Sequence, residues 1–275
     1  LLVSPYRSGI EVFGANILSN DWDSVTGKGV ITFDADVTTV GDKAFYGYNT
    51  SSAYLISVTI PHSVINIGEE AFFRCERLTN VSMGDSITSI GYNAFHFCHK
   101  LTSITIPNSL TTLGDSAFSV CVGLKEFKGD FVSEDGCCLI MNDILYSFAL
   151  GCGVTEYAIP SGVTTIGVES FAGCGTIRNI TIPSSVTTIK RQAFDSCSLE
   201  SIIIPDEVTN LGDHAFLCCD KLKSVSIGNG ITAIEEGMCC VKEGDAYQMI
   251  PVWKFDGSFS VSQSDGSTWG DTMTF

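Results

Sequence analysis

The sequence predicts a right-handed, curved solenoid, mainly β with short helical turns, of about eight to nine coils of 22–23 residues. Three observations predict it. An Ala-Phe pair or a near variant returns at almost constant spacing. Each return follows the same two short apolar segments. One such unit also buries too few side chains to offset the entropy of ordering its backbone, so it must be stacked on neighbours.

The pairs are Ala44-Phe45, Ala71-Phe72, Ala94-Phe95, Ala117-Phe118, Ser170-Phe171, Ala193-Phe194 and Ala215-Phe216. From Ala71 to Ala117 the step is 23 residues twice, and from Ser170 to Ala215 it is 23 and then 22. Gly237-Met238 reads as a decayed last copy.

The first segment of each unit is "LTSITIP" at 101–107, "IRNITIP" at 177–183, "LESIIIP" at 199–205 and "LKSVSIG" at 222–228. Alternation puts Ile104 and Ile106 on one face and Ser103 and Thr105 on the other, the pattern of a half-buried strand. Pro107 lacks a backbone donor and ends it. The second segment, "VTTIG" at Val163–Gly167, recurs with substitutions at Val37–Gly41, Val64–Gly68, Ile87–Gly91, Leu110–Gly114 and Val208–Gly212. Its glycine leads into a very short helix or tight turn carrying Ala-Phe. The acid in "GDSAF", "GEEAF" and "GDHAF" suits an exposed helical N-terminus.

Two stretches break the period. Residues 121–159 run about one coil long, and "SEDGCCLIMNDILYSFA" suggests an embedded hairpin turning at Asn142-Asp143. The pattern then restarts in register, so this is read as an insert at about 128–153 within one solenoid spanning 29–240. Residues 1–28 read as an N-terminal cap, and 241–275 as a C-terminal cap or the start of a further segment.

Composition excludes several functions. Hydrophobic residues at 44% and charged residues at 17% rule out intrinsic disorder. A net charge of −16, with no basic cluster evident, argues against nucleic acid and anionic membrane surfaces. No apolar run reaches membrane-span length, so no membrane insertion by this segment is expected. The start "LLVSPYRSG", without Met, reads as a processed or truncated product.

With these units in hand, the chain resembles the BspA-like leucine-rich repeats, whose unit is similar to "LTSITIPNSLTTLGDSAFSVC" at 101–121. The resemblance covers roughly residues 29–240, and the irregular copy "FKGDFVSEDGCCLIMNDILYSFA" is similar to one seen in gut-bacterial members. It implies a leucine-rich-repeat solenoid in a secreted or surface-anchored protein of a host-associated microbe, with adhesion as the usual role. It carries over no active site, no cofactor and no ligand residue. The expected partner is an extracellular or cell-surface protein or glycan.

Six of the twelve cysteines share one repeat position: Cys75, Cys98, Cys121, Cys174, Cys197 and Cys219, with Tyr48 in the first copy. They are expected to form a ladder of buried packing residues, held a strand spacing apart and so unpaired. The other six are Cys137, Cys138, Cys152, Cys218, Cys239 and Cys240. Vicinal pairs are usually one buried and one exposed thiol, and a bridge from Cys137 or Cys138 to Cys152 would close the insert.

"HFCH" offers His96, Cys98 and His99, but no second half at zinc spacing follows, and a solvated loop is the plainer reading. No G-x-S-x-G, P-loop or H-E-x-x-H occurs, and no carboxylates are visibly paired, so no enzyme is expected.

The candidate binding face is the outward side of the first strands: Ser57, Thr59, Asn80, Ser82, Ser103, Thr105, Asn179, Thr181, Ser201, Ser224 and Ser226, with Ile203 among them. Glu126, Lys128 and Glu156 lie near the insert. This hydroxyl-lined face reads either as a solvated sheet or as a shallow site for an extended partner. Aromatic side chains are richer in the insert (Phe131, Tyr146, Phe148, Tyr157) and the tail (Tyr247, Trp253, Phe255, Trp269), where buried capping competes with binding.

Overall fold

The structure is a computed structural model that describes residues 12–23, 28–47, 54–231, 233–234, 240–243, 246–249, 253–255 and 260–261. The chain forms two compact units, residues 1–138 and 139–275. Their division falls inside the stretch that the sequence reads as an insert within one solenoid.

In the first unit each coil contributes two strands. The first strands are Ser57–Thr59, Asn80–Ser82, Ser103–Thr105 and Glu126–Lys128. They pair in parallel two by two at equivalent repeat positions, Ser57 opposite Asn80 and Ser103 opposite Glu126. The second strands, Thr39–Val40, Asn66–Ile67, Ser89–Ile90 and Thr112–Leu113, form one parallel sheet in register. An antiparallel pair, Ile17–Asp23 with Lys28–Phe33, precedes them, and Phe13 packs edge-on against Phe33 and Phe45.

Between the two strands the chain turns at proline. The carbonyls of Pro61, Pro107, Pro160, Pro183 and Pro205 each accept the amide three residues on. Proline thus ends the strand and opens the turn to the second segment. The glycine after that segment is required by close approach of coils. A Cβ on Gly91 would lie 2.7 Å from the backbone nitrogen of Glu69.

The Ala-Phe segment is a pair of consecutive turns, not a helix. The residue before each Ala or its Ser equivalent (Lys43, Glu70, Asn93, Ser116, Glu169, Gln192, His214) has positive φ. So does the residue before each cysteine, namely Arg74, Phe97, Val120, Gly173, Ser196 and Cys218. Left-handed residues at this spacing break a right-handed helix. What they gain is a third ladder. Amides of alternate residues point along the stack, so that Glu70, Phe72 and Arg74 donate to the carbonyls of Tyr92, Ala94 and His96 in the next coil. The acid after glycine serves the neighbouring coil instead of a helix end, with Asp42 Oδ1 accepting the Glu69 amide at 2.9 Å.

Inside, the phenylalanines stack. Phe45, Phe72, Phe95 and Phe118 lie 4.9–5.2 Å apart with planes within 7°. All are buried, with the alanines and with Val40, Ile67, Ile90, Ile104 and Leu113 of the strands.

The second unit repeats this plan. First strands Glu156–Ala158, Asn179–Thr181, Ser201–Ile204 and Ser224–Ile227 run in parallel, and Phe171, Phe194 and Phe216 stack at 5.2 Å. The predicted hairpin forms from Cys138–Met141 and Ile144–Phe148, with φ of 49° and 62° at Asn142 and Asp143, as a tight two-residue turn demands. Ile144–Phe148 also pairs in parallel with Thr165–Ile166. It therefore occupies a second-strand position, and Phe148 joins the ring stack 4.9 Å from Phe171. Beyond the recognisable repeats, Cys240–Glu243 and Ala246–Met249 form an antiparallel pair. Trp253–Phe255 and Ser260–Val261 then extend the two strand tracks, on Ser224–Ile227 and Ala233–Ile234. Tyr48, Gly237-Met238 and Trp269 lie outside the described residues.

Candidate functional site

In each unit the outward side chains of the first strands stand opposite their counterparts in a neighbouring coil. In the first unit Ser57 is opposite Asn80 and Thr59 opposite Ser82 in one strand pair, and Ser103 is opposite Glu126 and Thr105 opposite Lys128 in the next. All are exposed except half-buried Ser103. In the second unit Glu156, Asn179, Ser201 and Ser224 are aligned, beside Ala158 and Thr181 and then Ile203 opposite Ser226. Asn179 Nδ2 donates to Glu156 Oε1 at 3.3 Å. Ile203 is 70% exposed, a lone large apolar side chain on this polar face.

The repeated cysteines are buried thiols, each part of a defined contact. The thiols of Cys75, Cys98, Cys121, Cys197 and Cys219 donate to the carbonyls of Phe45, Phe72, Phe95, Phe171 and Phe194 in the preceding coil, at 3.0–3.4 Å. The Phe72, Phe95, Phe171 and Phe194 carbonyls also accept the amide of their own coil's cysteine. Both lone pairs of a buried carbonyl are thereby used. Burial pushes the Cys75 and Cys219 thiols up to about 12, and Cys98 and Cys197 well above the ordinary range, so the donating proton is retained. Cys174 departs from the pattern and lies 3.9 Å from Thr176 Oγ1.

Cys137 and Cys138 are both buried, unlike the one-in, one-out arrangement expected of a vicinal pair; Cys218-Cys219 follows that expectation more closely. Cys152 is a half-buried thiol, so the bridge considered for the insert is not formed. The Cys239 and Cys240 side chains lie outside the description. Of the insert aromatics, Phe148 and Tyr157 are core residues, whereas Phe131 and Tyr146 are half-buried. The tail side chains of Tyr247, Trp253 and Phe255 are not described.

His96 is not in a solvated loop. It is buried, and its Nδ1 lies 2.8 Å from Asn93 Oδ1. Burial first, then Arg74 and His99, hold its imidazole down to about 4. Cys98 turns into the core, and no group of three or more metal-ligating side chains occurs among the described residues.

Around His96 lies a cluster of aromatic and cationic side chains from successive coils, which reading along the sequence does not single out. Tyr46 and Phe73 stack at 5.1 Å with planes 9° apart. Phe97 stands edge-on to Phe73 at 5.8 Å and to His99 at 5.7 Å. The Arg74 guanidinium lies 4.7 Å from the Phe97 ring centre and 6.0 Å from that of Phe73. Arg77 lies 5.7 Å from the ring centre of Tyr54. The signal was present in the two positions between Phe and Cys, which stack from coil to coil just as Phe and Cys do.

The fold and these surfaces define a parallel β-solenoid of the leucine-rich-repeat class. Residues 26–130 and 145–242 match the profile of the BspA type leucine rich repeat region in six copies, and the chain belongs to that family. Among solved structures it is similar to the pneumococcal vaccine antigen PcpA, at 21% identity over 88% of this chain and a TM-score of 0.58. It spans 64% of that protein's length. It is also similar to a leucine rich cell surface protein of Faecalibacterium prausnitzii, at 20% identity, TM-score 0.49, over 93% of this chain and 96% of that one. A leucine-rich repeat protein of Bacteroides ovatus gives 21% identity, TM-score 0.48, over 91% and 78%. No curated protein sequence matches the chain.

Proposed function

We propose that the chain is a non-catalytic recognition protein, secreted or displayed at a cell surface, which binds host or microbial macromolecules in the manner of an adhesin. The observation that carries this reading is the repeated outward display of exposed or half-buried hydroxyl and amide side chains on the first strands, among them Ser57, Thr59, Asn80, Ser82 and Thr105, then Asn179, Thr181 and Ser201. A repeated polar face suits a shallow, extended contact with a protein or glycan. Family membership supports the surface address, and a protein of the same fold is a vaccine antigen.

The test is binding of the purified chain, by interferometry at physiological salt, to extracellular-matrix proteins, mucins and glycans. Saturable binding abolished by Ser103→Glu, Thr105→Glu and Thr181→Glu is the expected result. Binding that survives these changes moves the site off the strand face. No binding across the panel favours a structural spacer presenting another domain. Binding to glycans alone favours a carbohydrate-binding accessory protein.

A further inference from the structure

The aromatic and cationic cluster of the first unit has a composition at odds with the rest of the chain. The protein carries a net charge of −16 and only 15 Lys and Arg residues. Arg74, Arg77 and Lys100 nevertheless lie at the ends of two successive Ala-Phe turns. Arg74 has Glu76 at 3.9 Å, a long contact. Arg77 and Lys100 are exposed and form no ion pair with the described residues. The rings are partly open. Phe73 and Phe97, against Arg74, are half-buried, and Tyr54, against Arg77, is 68% exposed.

We propose that this patch binds an anionic sugar, one carrying a carboxylate or sulfate group on a pyranose ring. The charge argument is local. At physiological salt, fields are screened beyond about 8 Å, so a ligand arriving here meets the cations Arg74, Arg77 and Lys100 against the nearby carboxylate of Glu76, and not the distant carboxylates. The ring argument selects the ligand's body. Partly exposed aromatic rings suit the C–H face of a pyranose, which an acidic peptide does not offer at each residue. The guanidinium argument selects its charge. An arginine held against a ring is pre-organised to present its planar donor edge to a carboxylate or sulfate. This site is distinct from the strand face and does not depend on it.

The equivalent surface of the second unit supplies the control. Its corresponding positions hold Ala172-Gly173, Asp195-Ser196 and Leu217-Cys218, with no aromatic ring. The exposed Lys221 stands there without the accompanying platform.

The experiment measures binding of the full chain to sialyllactose, to a sulfated heparin oligosaccharide, to neutral lactose and to polyglutamate, at low and physiological salt. The expected result is binding to one or both anionic sugars and not to lactose, with the preferred sugar separating a carboxylate site from a sulfate site. Arg77→Glu with Lys100→Glu should weaken it by about tenfold or more. Lys221→Glu, and Ser103→Glu with Thr105→Glu, should leave it within about twofold. Absent binding, equal binding of lactose, tighter binding of polyglutamate, or equal loss with Lys221→Glu would each overturn the proposal. Because both test residues are exposed, circular dichroism of the double variant should be unchanged.

Discussion

In the first unit the two positions between Phe and Cys hold Phe73-Arg74, His96-Phe97 and Ser119-Val120; in the second they hold Ala172-Gly173, Asp195-Ser196 and Leu217-Cys218. The backbone beneath is the same. Both sets end in a left-handed residue, and both carry the forward-pointing amide ladder and the stacked rings. The difference shows which positions the architecture dictates. Ala, Phe and Cys touch the coils above and below and are held fixed. The two intervening positions are less constrained and accept residues from buried His96 and Ser119 to half-buried Phe73 and Arg74, so one unit can build an aromatic, cationic face and the other a small, acidic one.

The largest test of that shared architecture is to remove a ring from the middle of each stack. Phe95→Ala and Phe194→Ala should each lower stability by about 3–5 kcal/mol in urea denaturation. A loss in one unit and not the other would break the equivalence. Next comes the left-handed position before cysteine. Gly173→Val places a β-branched residue at φ +77°, and should cost about 1–3 kcal/mol. Val120→Gly, the reverse change in the first unit, should cost far less or stabilise.

The thiol contact sets a finer distinction. Cys197→Ala removes the donor to the Phe171 carbonyl and should cost about 1–2 kcal/mol. Cys174→Ala should cost less, because that thiol makes no such bond. The last and smallest distinction is the pH-linked part of the effect at His96. Its folded imidazole is held down to about 4 against an ordinary value of 6.5, so the unfolded chain binds the proton more readily. The resulting stabilisation is fully present above pH 6.5 and is lost as pH falls towards 4. His96→Ser, which copies Ser119 one coil on, should flatten the stability profile over that window, so that the loss between pH 7.5 and pH 4 is smaller than in the parent, beside a constant cost from the lost Asn93 contact and ring packing.

Much of this fold could be read from periodicity. Ile104, Ile106, Pro107 and Phe118 each stand where the alternation, the missing donor and the 23-residue step put them. The turn chemistry was harder. Lys43, Glu70 and Arg74 are unremarkable residue types, and nothing in their identity announces positive φ. That conformation is imposed by the gain of bonds to the next coil, which is a property of the stack and not of the residue. The hairpin at Asn142-Asp143 was legible, but the place of Phe148 in the ring stack was missed, although Ser147-Phe148 stands 23 residues before Ser170-Phe171, because the hairpin replaces the usual second segment ahead of it. The strand face was found by alternation. The cluster at Arg74 and Phe97 escaped because each residue looks arbitrary along the chain and meaningful only across coils.

The two walls of each coil also run their peptide groups in opposite senses. Along the second strands the amides of Ile65, Gly68, Thr88 and Gly91 point back to the preceding coil. Along the Ala-Phe turns, those of Glu70, Phe72, Asn93 and Phe95 point forward. Peptide dipoles aligned in one direction would add to an axial field, as they do in a helix. Here the contributions of the two walls oppose one another, so lengthening the stack builds up little axial polarity. The electrostatic character of this surface is therefore written by its side chains, and a handful of substitutions at the variable positions is enough to redraw it.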